Sequence, residues 1–430
     1  MAVCEGPVGP AGAVTTIEPA ASVAGEVTVP GDKAISHRAL ILGALARGRS
    51  YVGNLSPAHD VASTAACLRA CGGAVREFGR GRAVCDGEGP GVTLRTPSST
   101  LDCANSGTTM RLLAGVVAGH GGMEAVLDGD VSLRRRPMER VAAPLRVAGR
   151  RPLAGGRVVL PVASAQVKSA ALLAGLCGDA PVTVVEPAQT RDHTERMLRM
   201  CGVEVRAGED GVSVRPGPLA PFGMRVPGDL SSAAFLLALA AARPGWSMAC
   251  PGVTLNPGRI GVLEVLRAMG AGVEVEDADP AGGVEPVGTV RVRGGEGLHA
   301  TVVAGDLVPR CIDEIPVLAV LATQAHGVTE IRDASELRAK ESDRIACLVG
   351  GLRALGADVE ERQDGLAVAG SGGSPLRAAR LDAALDHRLA MAWAVAACLA
   401  DGPCVVDGAD AVSVSYPEFF SDLAAVACRA

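Results

Sequence analysis

The chain has 430 residues, 48% of them apolar but only nine aromatic, and a formal net charge of −6, a make-up that suits two aliphatic cores better than one. With no basic block and few rings to stack on bases, a nucleic-acid partner is excluded, and no apolar run is long enough to span a membrane. Thirteen cysteines stand singly without C-x-x-C or zinc spacing, and Met1–Ala20 has no basic-then-apolar leader, so we expect a cytoplasmic protein with free thiols and no metal.

In chain order, the first predicted helix follows Gly31-Asp32-Lys33-Ala34-Ile35-Ser36-His37-Arg38 and continues as the apolar run Leu40–Gly48. The arrangement recurs. Asn105-Ser106-Gly107-Thr108-Thr109-Met110-Arg111 leads into Leu112–Gly121, and Ala163-Ser164-Ala165-Gln166-Val167-Lys168-Ser169 into Leu172–Gly178. Gly228-Asp229-Leu230-Ser231-Ser232 leads into Leu236–Gly245, Ile312-Asp313-Glu314-Ile315-Pro316 into Leu318–Gly327, and Asp386-His387-Arg388-Leu389-Ala390-Met391 into Trp393–Gly402. Between them stand helix ends of a second kind, a Leu-Arg pair, then Gly, then a β-like run such as Val203-Glu204-Val205. They occur at Leu68, Leu145, Leu198, Leu266 and Leu352, before Gly72, Gly149, Gly202, Gly270 and Gly356, with a sixth due near Leu423. Gly supplies the left-handed residue that closes a helix. The spacing predicts an α/β protein in which strand, helix, strand, helix and further strands repeat six times; Glu276–Pro286 reads as a surface loop.

Small polar residues at these starts cap helices, which accounts for Asp229, Ser231 and Ser232. It does not account for Lys33, Arg38, Arg111, Lys168 and Arg388, because a cation there opposes the helix dipole. Such cations make sense if an anion binds as well, so several helix starts are expected to converge on a multiply anionic ligand. Among 41 basic residues only Lys33, Lys168 and Lys340 are lysines, positions where a compact ammonium resists replacement by a planar guanidinium.

Other clusters keep two readings. Arg134-Arg135-Arg136-Pro137 is a solvated turn or an anion clamp. Lys340-Glu341-Ser342-Asp343-Arg344 is a capped helix start with a Glu341–Arg344 pair, or an acid–base pair with Arg344 fixing an anion. Asp313-Glu314, set in apolar sequence, are caps or poised bases. Arg191, near Glu186-Pro187, is a candidate anion contact, and His387 reads as a hydrogen-bonded helix-start residue. No phosphate loop, dinucleotide fingerprint or nucleophile elbow occurs. Transfer chemistry on small phosphorylated acids is the expectation.

Nine stretches, in this order, resemble the 5-enolpyruvylshikimate-3-phosphate (EPSP) synthase family: Pro30–Arg38, Asn105–Arg111, Arg136-Pro137-Met138, Ser164–Lys168, Arg191–Glu195, Ile312–Pro316, Lys340–Arg344, Asp386–Arg388 and Tyr416-Pro417. The wording of Ala163–Lys168 and Ile312–Pro316 is similar to the second of the family's two sequence classes. The resemblance implies a two-lobed inside-out α/β barrel of six βαβαββ-type units, three per lobe. Residues 1–30 plus 228–430 would form one lobe and 31–227 the other, with the active site between them. It also implies transfer of the enolpyruvyl group of phosphoenolpyruvate to the 5-hydroxyl of shikimate 3-phosphate, by a cytoplasmic monomer without a cofactor whose partners are these two small molecules.

By the same resemblance, Lys33, Arg38, Ser164, Ala165 (through its backbone), Gln166, Arg191, Asp313 and Lys340 hold shikimate 3-phosphate. Lys33, Asn105, Gly107, Arg136, Gln166, Arg344 and Arg388 face phosphoenolpyruvate. Asp313 and Glu341 are the acid–base groups, with Lys33 assisting. Ala34 departs from the family's usual Ser, the one feature that favours a non-catalytic or substrate-shifted paralogue. The sister family acting on UDP-N-acetylglucosamine expects Asn at that position and a reactive cysteine loop, and Arg134–Arg140 contains no cysteine. Charge-lined lobes are expected to repel each other when empty and to close on anions.

Overall fold

The computed structural model describes residues 12–79, 81–147, 155–178, 180–278 and 284–429. Six inner helices organise it: α1 (Lys33–Leu45), α2 (Gly107–Gly119), α3 (Ala165–Leu176), α4 (Leu230–Ala241), α5 (Ile315–Ala322) and α6 (His387–Cys398). Their Ala-, Leu- and Val-rich sequences leave no broad polar stripe to turn toward water, so they pack inside. Every residue of α4, α5 and α6 is buried. Helices α1–α3 share a core drawn from residues 35–226, and α4–α6 a second drawn from residues 23–29 and 230–426. These cores define two lobes, called first and second below.

The strands lie outside the inner helices, and some, such as Val182–Val185, Val287–Arg293 and Cys404–Asp407, alternate buried with more exposed positions. Each sheet sets a parallel strand beside a central one. In the first lobe Gly223–Arg225 runs parallel to Arg47–Gly53, which pairs antiparallel with Arg82–Glu88 and through it with Ala74–Phe78. In the second, Ala20–Glu26 runs parallel to Ser247–Thr254, which continues antiparallel to Val287–Arg293 and Gly272–Ala278. The other units repeat this plan around Val182–Val185 and Ala325–Ile331, and shorten it at Leu127–Asp128 and Cys404–Asp407.

The Leu-Arg-to-Gly phrases end the outer helices. Gly72, Gly202, Gly270 and Gly356 have φ of 87°, 81°, 94° and 82°; Gly149 lies outside the described residues. The sixth helix, Phe419–Val426, passes without a glycine into strand Ala427–Arg429, which closes on Ala20–Glu26. The expected loop Glu276–Pro286 is corrected in part. Glu276 belongs to the hairpin formed by Gly272–Ala278 and Val287–Arg293. Glu285 is buried because it bonds His193 and Asn256 of the opposing and the same lobe.

The chain passes between lobes where Gly31 and Gly228 form an antiparallel bridge. The Asp32 N–H donates to Pro227 O at 2.7 Å and the Asp229 N–H to Pro30 O at 2.9 Å. A Cβ on Gly31 would stand 1.8 Å from Asn54 O, so only glycine fits this close approach.

Candidate active site

A cavity of about 380 Å³ lies between the lobes, and the starts of all six inner helices line it. They contribute Lys33, Ala34 and Arg38 (α1), Gly107, Thr108 and Arg111 (α2), Ser164 to Gln166 (α3), Asp229 (α4), Ile312 and Asp313 (α5), and His387 and Arg388 (α6). Asp32, Ser106, Ser164, Asp229 and Asp386 each accept a backbone N–H of the first turn as N-caps, the local chemistry that makes a helix begin there. Ten cationic side chains against six carboxylates line the cavity. That excess, added to six converging helix starts, favours anions.

Two carboxylates stand among these cations. Arg191 Nη2 reaches across the lobes to Asp313 Oδ2 at 2.6 Å, Lys340 Nζ lies 3.4 Å from Oδ1, and Arg344 Nη1 lies 3.7 Å from it. Burial alone would raise the Asp313 pKa; Lys340, then Arg191, Arg388 and Arg344, outweigh it and hold the carboxyl well below the usual range. Glu341 accepts from Arg344 Nη2 at 2.7 Å and faces Arg136 Nη1 of the first lobe at 3.3 Å. There too burial pushes upward, and Arg344 and Arg136 lead the cations that hold the group well below the usual range. Arg344 also donates to Asp386 at 2.7 and 3.1 Å, while its buried Nη1 has no hydrogen-bond partner among the described residues.

With Arg140–Glu336 at 2.6 Å, Arg191–Asp313 and Arg136–Glu341 pair cations of the first lobe with carboxylates of the second. The facing surfaces are complementary rather than uniformly cationic, which corrects the expectation of repelling lobes.

Lys33, Arg38, Gly107, Arg136, Ser164, Ala165, Gln166, Arg191, Asp313, Lys340, Glu341, Arg344 and Arg388 all line the cavity; Asn105 does not. Its Oδ1 accepts from Arg136 Nη2 at 2.7 Å and its Nδ2 donates to Asp130 at 2.6 Å, so it orients Arg136. Lys33 Nζ donates to Asp60 at 3.0 Å, and Gln166 joins Thr108 to Arg111. Arg38 donates to Thr194, Ser169 and Ala34 O. Of the arginine trio only Arg136 lines the cavity, and Arg134 is exposed and paired with Asp128. Glu314 turns into the protein, where its carboxyl accepts from Ser231 Oγ; burial, then Asp313, raises its pKa.

Lys168 is a correction. It stands in the first turn of α3 yet faces Glu186 and Glu195 instead of the cavity. His387 is the first residue of α6, as read from the sequence, and its buried Nδ1 has no hydrogen-bond partner among the described residues. Sequence reading missed Asp60, Thr190, Arg140, Arg259 and Glu336 in the lining. Asp60 looks like an ordinary acidic first-turn residue of His59–Ala70. Arg259 has no local signal, yet it ties the caps Asp229 (3.0 Å) and Asp32 (3.5 Å) on both sides of the chain crossing. No group of His, Cys, Asp and Glu among the described residues is arranged to hold a metal, and no described helix is long and apolar enough to cross a membrane.

Beneath the cavity His37 is fully buried, its Nδ1 2.6 Å from Thr64 Oγ1. Burial, then Lys33 and Arg38, holds its pKa well below the ordinary value. An unfolded histidine takes up a proton below about pH 6.5 while this one stays neutral, so the unfolded state binds more protons there and stability falls as pH falls. The slope is about 1.4 kcal/mol per pH unit for one such group. Urea unfolding of His37→Gln between pH 7 and 5 is expected to show a pH dependence flatter than wild type by about that amount; equal slopes would count against a neutral buried His37.

Residues 17–423 match the family model described as EPSP synthase (3-phosphoshikimate 1-carboxyvinyltransferase). The 3-phosphoshikimate 1-carboxyvinyltransferase of Roseiflexus sp. (strain RS-1) is 48% identical over 438 aligned positions, covering 97% of this chain and 100% of that protein. The enzyme of the same name from Chloroflexus aurantiacus is 48% identical, covering 94% and 96%. Among solved structures, EPSP synthase from Acinetobacter baumannii matches with a TM-score of 0.85 at 36% identity, over 97% of this chain and 98% of that one.

Proposed function

This chain belongs to the EPSP synthase family, and from that premise we propose that it is a 3-phosphoshikimate 1-carboxyvinyltransferase working at the interlobe cavity. In that reaction the 5-hydroxyl oxygen of shikimate 3-phosphate adds to C2 of phosphoenolpyruvate while C3 takes a proton. C3 of the tetrahedral intermediate then returns a proton to an enzyme carboxylate, the C2–C3 double bond re-forms and phosphate leaves. Each substrate carries a carboxylate and a phosphate, which is what a strongly cationic lining is suited to hold.

Asp313, kept ionised by its cations, is the group we assign to accept the hydroxyl proton, with Lys33 assisting. Glu341 is ionised while Arg344 and Arg136 hold it. Phosphoenolpyruvate claims those guanidinium groups, and the carboxylate is then left beside new anions, a change that raises its pKa and suits it to carry the proton bound for C3. We assign Arg136, Arg344 and Arg388, with Gly107 and Gln166, to phosphoenolpyruvate. Shikimate 3-phosphate falls to Lys33, Arg38, Ser164, Ala165, Gln166, Arg191 and Lys340. Asn105 acts through Arg136.

We place the lobes at 31–227 and at 1–30 plus 228–430, supported by the separate cores and the Gly31–Gly228 bridge. A cytoplasmic location fits twelve described cysteines that are all free, and we read the protein as a monomer from the family resemblance.

The observation that carries this reading is the meeting of six helix starts and a net cationic lining around two cation-held carboxylates. Phosphate release from shikimate 3-phosphate plus phosphoenolpyruvate tests it. Binding of both without release would favour the non-catalytic paralogue. A second measurement addresses Ala34, which lines the cavity one residue after Lys33. Ala34→Ser restores a hydroxyl; a hydrogen bond to a charged group is worth about 1.5–3 kcal/mol, less where water already fills the place. Calorimetry is expected to show shikimate 3-phosphate bound about tenfold more tightly, and unchanged affinity would refute the lost-hydroxyl account.

A further inference from the structure

Lys168 stands in the first turn of α3, where a cation opposes the helix dipole, and it is 1% exposed and absent from the cavity wall. Its ammonium has three N–H groups: it donates to Glu186 Oε1 at 2.9 Å and to Thr190 O at 3.4 Å, and forms an ion pair with Glu195 Oε1 at 2.8 Å. All three partners come from one stretch of chain. Glu186 in turn accepts from the Thr190 N–H at 3.1 Å and from Thr190 Oγ1 at 2.6 Å. Glu195 lies four residues beyond Arg191, in helix His193–Met200.

Residues 186–192 run between strand Val182–Val185 and that helix, outside any regular element. No sheet or helix ladder sets their course, so side-chain bonds fix it: those of the Lys168 cluster before Arg191, and after it Asp192 Oδ1, which accepts from Arg196 Nε at 2.8 Å and Asn256 Nδ2 at 2.7 Å. From this stretch Thr190 and Arg191 reach the cavity, and Arg191 spans the lobes to Asp313. A buried ion cluster gives little net stability against apolar packing of the same shape; what two hydrogen bonds and an ion pair on one compact ammonium do provide is a fixed geometry.

We propose that Lys168 is a positioning residue for Arg191, clamping the chain on both sides of it from α3 and so setting where its guanidinium meets shikimate 3-phosphate. The proposal rests on the assignment of Arg191 to that substrate. It also suits a lysine in an arginine-rich chain, since a compact ammonium can serve several partners converging on one nitrogen where a planar guanidinium would need more room.

The test is a double-mutant cycle in the full-length enzyme. Lys168→Met combined with Glu195→Gln keeps the cluster's net charge and is compared with wild type, alone and in an Arg191→Met background. Thermal unfolding checks that each protein is folded. The expected result is a KM for shikimate 3-phosphate raised at least tenfold, with the KM for phosphoenolpyruvate within twofold of wild type. In the Arg191→Met background the same change is expected to move the KM for shikimate 3-phosphate by less than twofold. Equal effects in both backgrounds, or a parallel rise for both substrates, would overturn the positioning role while leaving Arg191 as a contact. If Arg191→Met alone leaves the KM for shikimate 3-phosphate unchanged, the assignment of Arg191 fails and the proposal with it. If the charge-balanced protein does not fold, Glu186→Ala, which removes a partly exposed member of the clamp, takes its place with the same expected and overturning results.

Discussion

Asp313→Asn is expected to lower kcat by at least about 100-fold, the range for removing a positioned general base, while shikimate 3-phosphate binds no more weakly than before. The side chain keeps its shape and loses its charge. Arg191 at 2.6 Å, Lys340 at 3.4 Å and Arg344 at 3.7 Å then lose the carboxylate that occupies them. An anionic substrate no longer competes with Asp313 for those cations, so the KM for shikimate 3-phosphate stays level or falls. A residue that only held the lobes together would behave differently, because losing its cross-lobe pair would weaken binding along with turnover. Steady-state kinetics in both substrates and calorimetry with shikimate 3-phosphate read the split directly. A kcat within tenfold of wild type would remove Asp313 from the chemistry.

Gly107→Ala is expected to raise the KM for phosphoenolpyruvate by about 10- to 100-fold without loss of stability. A Cβ added at Gly107 would stand 2.8 Å from Arg111 Nη1 and 3.0 Å from Arg136 Nη1. Those contacts are shorter than packing allows, and both involve the ends of long side chains, so the guanidinium groups move and the backbone does not. Losing one charge-assisted bond to an anion costs about 1.5–3 kcal/mol, which is the quoted range in KM. Gly107 is the first residue of α2, where alanine still gives up less backbone freedom than glycine on folding, a gain smaller than the about 0.5–1 kcal/mol of a helix interior. Thermal unfolding should therefore show an unchanged or slightly higher midpoint, and the KM for shikimate 3-phosphate should move little. A lower midpoint, or equal change in both KM values, would mean that the methyl group disturbs the fold rather than the arginine pair.

Local chemistry was legible wherever it was sufficient. Apolar runs without a polar stripe must be buried, and polar residues before them must cap, so α1 to α6 and their starts follow from composition and order. Gly202 and Gly356 end helices for a reason visible in a short window. The hairpin that holds Glu276 was hidden by its acidic residues, since an exposed strand face and a loop look alike in composition. Asp60 and Arg259 were hidden differently, because nothing near them in sequence differs from an ordinary surface helix or turn. Asn105 does not line the cavity but bonds Arg136, a relation that its neighbours in the same stretch do not show.

The sequence by itself determined six buried helices with polar starts, four of which carry cations, because capping and all-round apolarity act over a few residues. The tertiary structure alone decided which of those cations are free to meet a ligand. Lys33 and Lys168 both stand in first turns, but Glu186 and Glu195 close on Lys168, whereas Lys33 keeps one partner, Asp60, and its place in the cavity wall. A buried charge takes its role from the opposite charges brought within a few ångströms of it, and spacing along the chain does not say which those are.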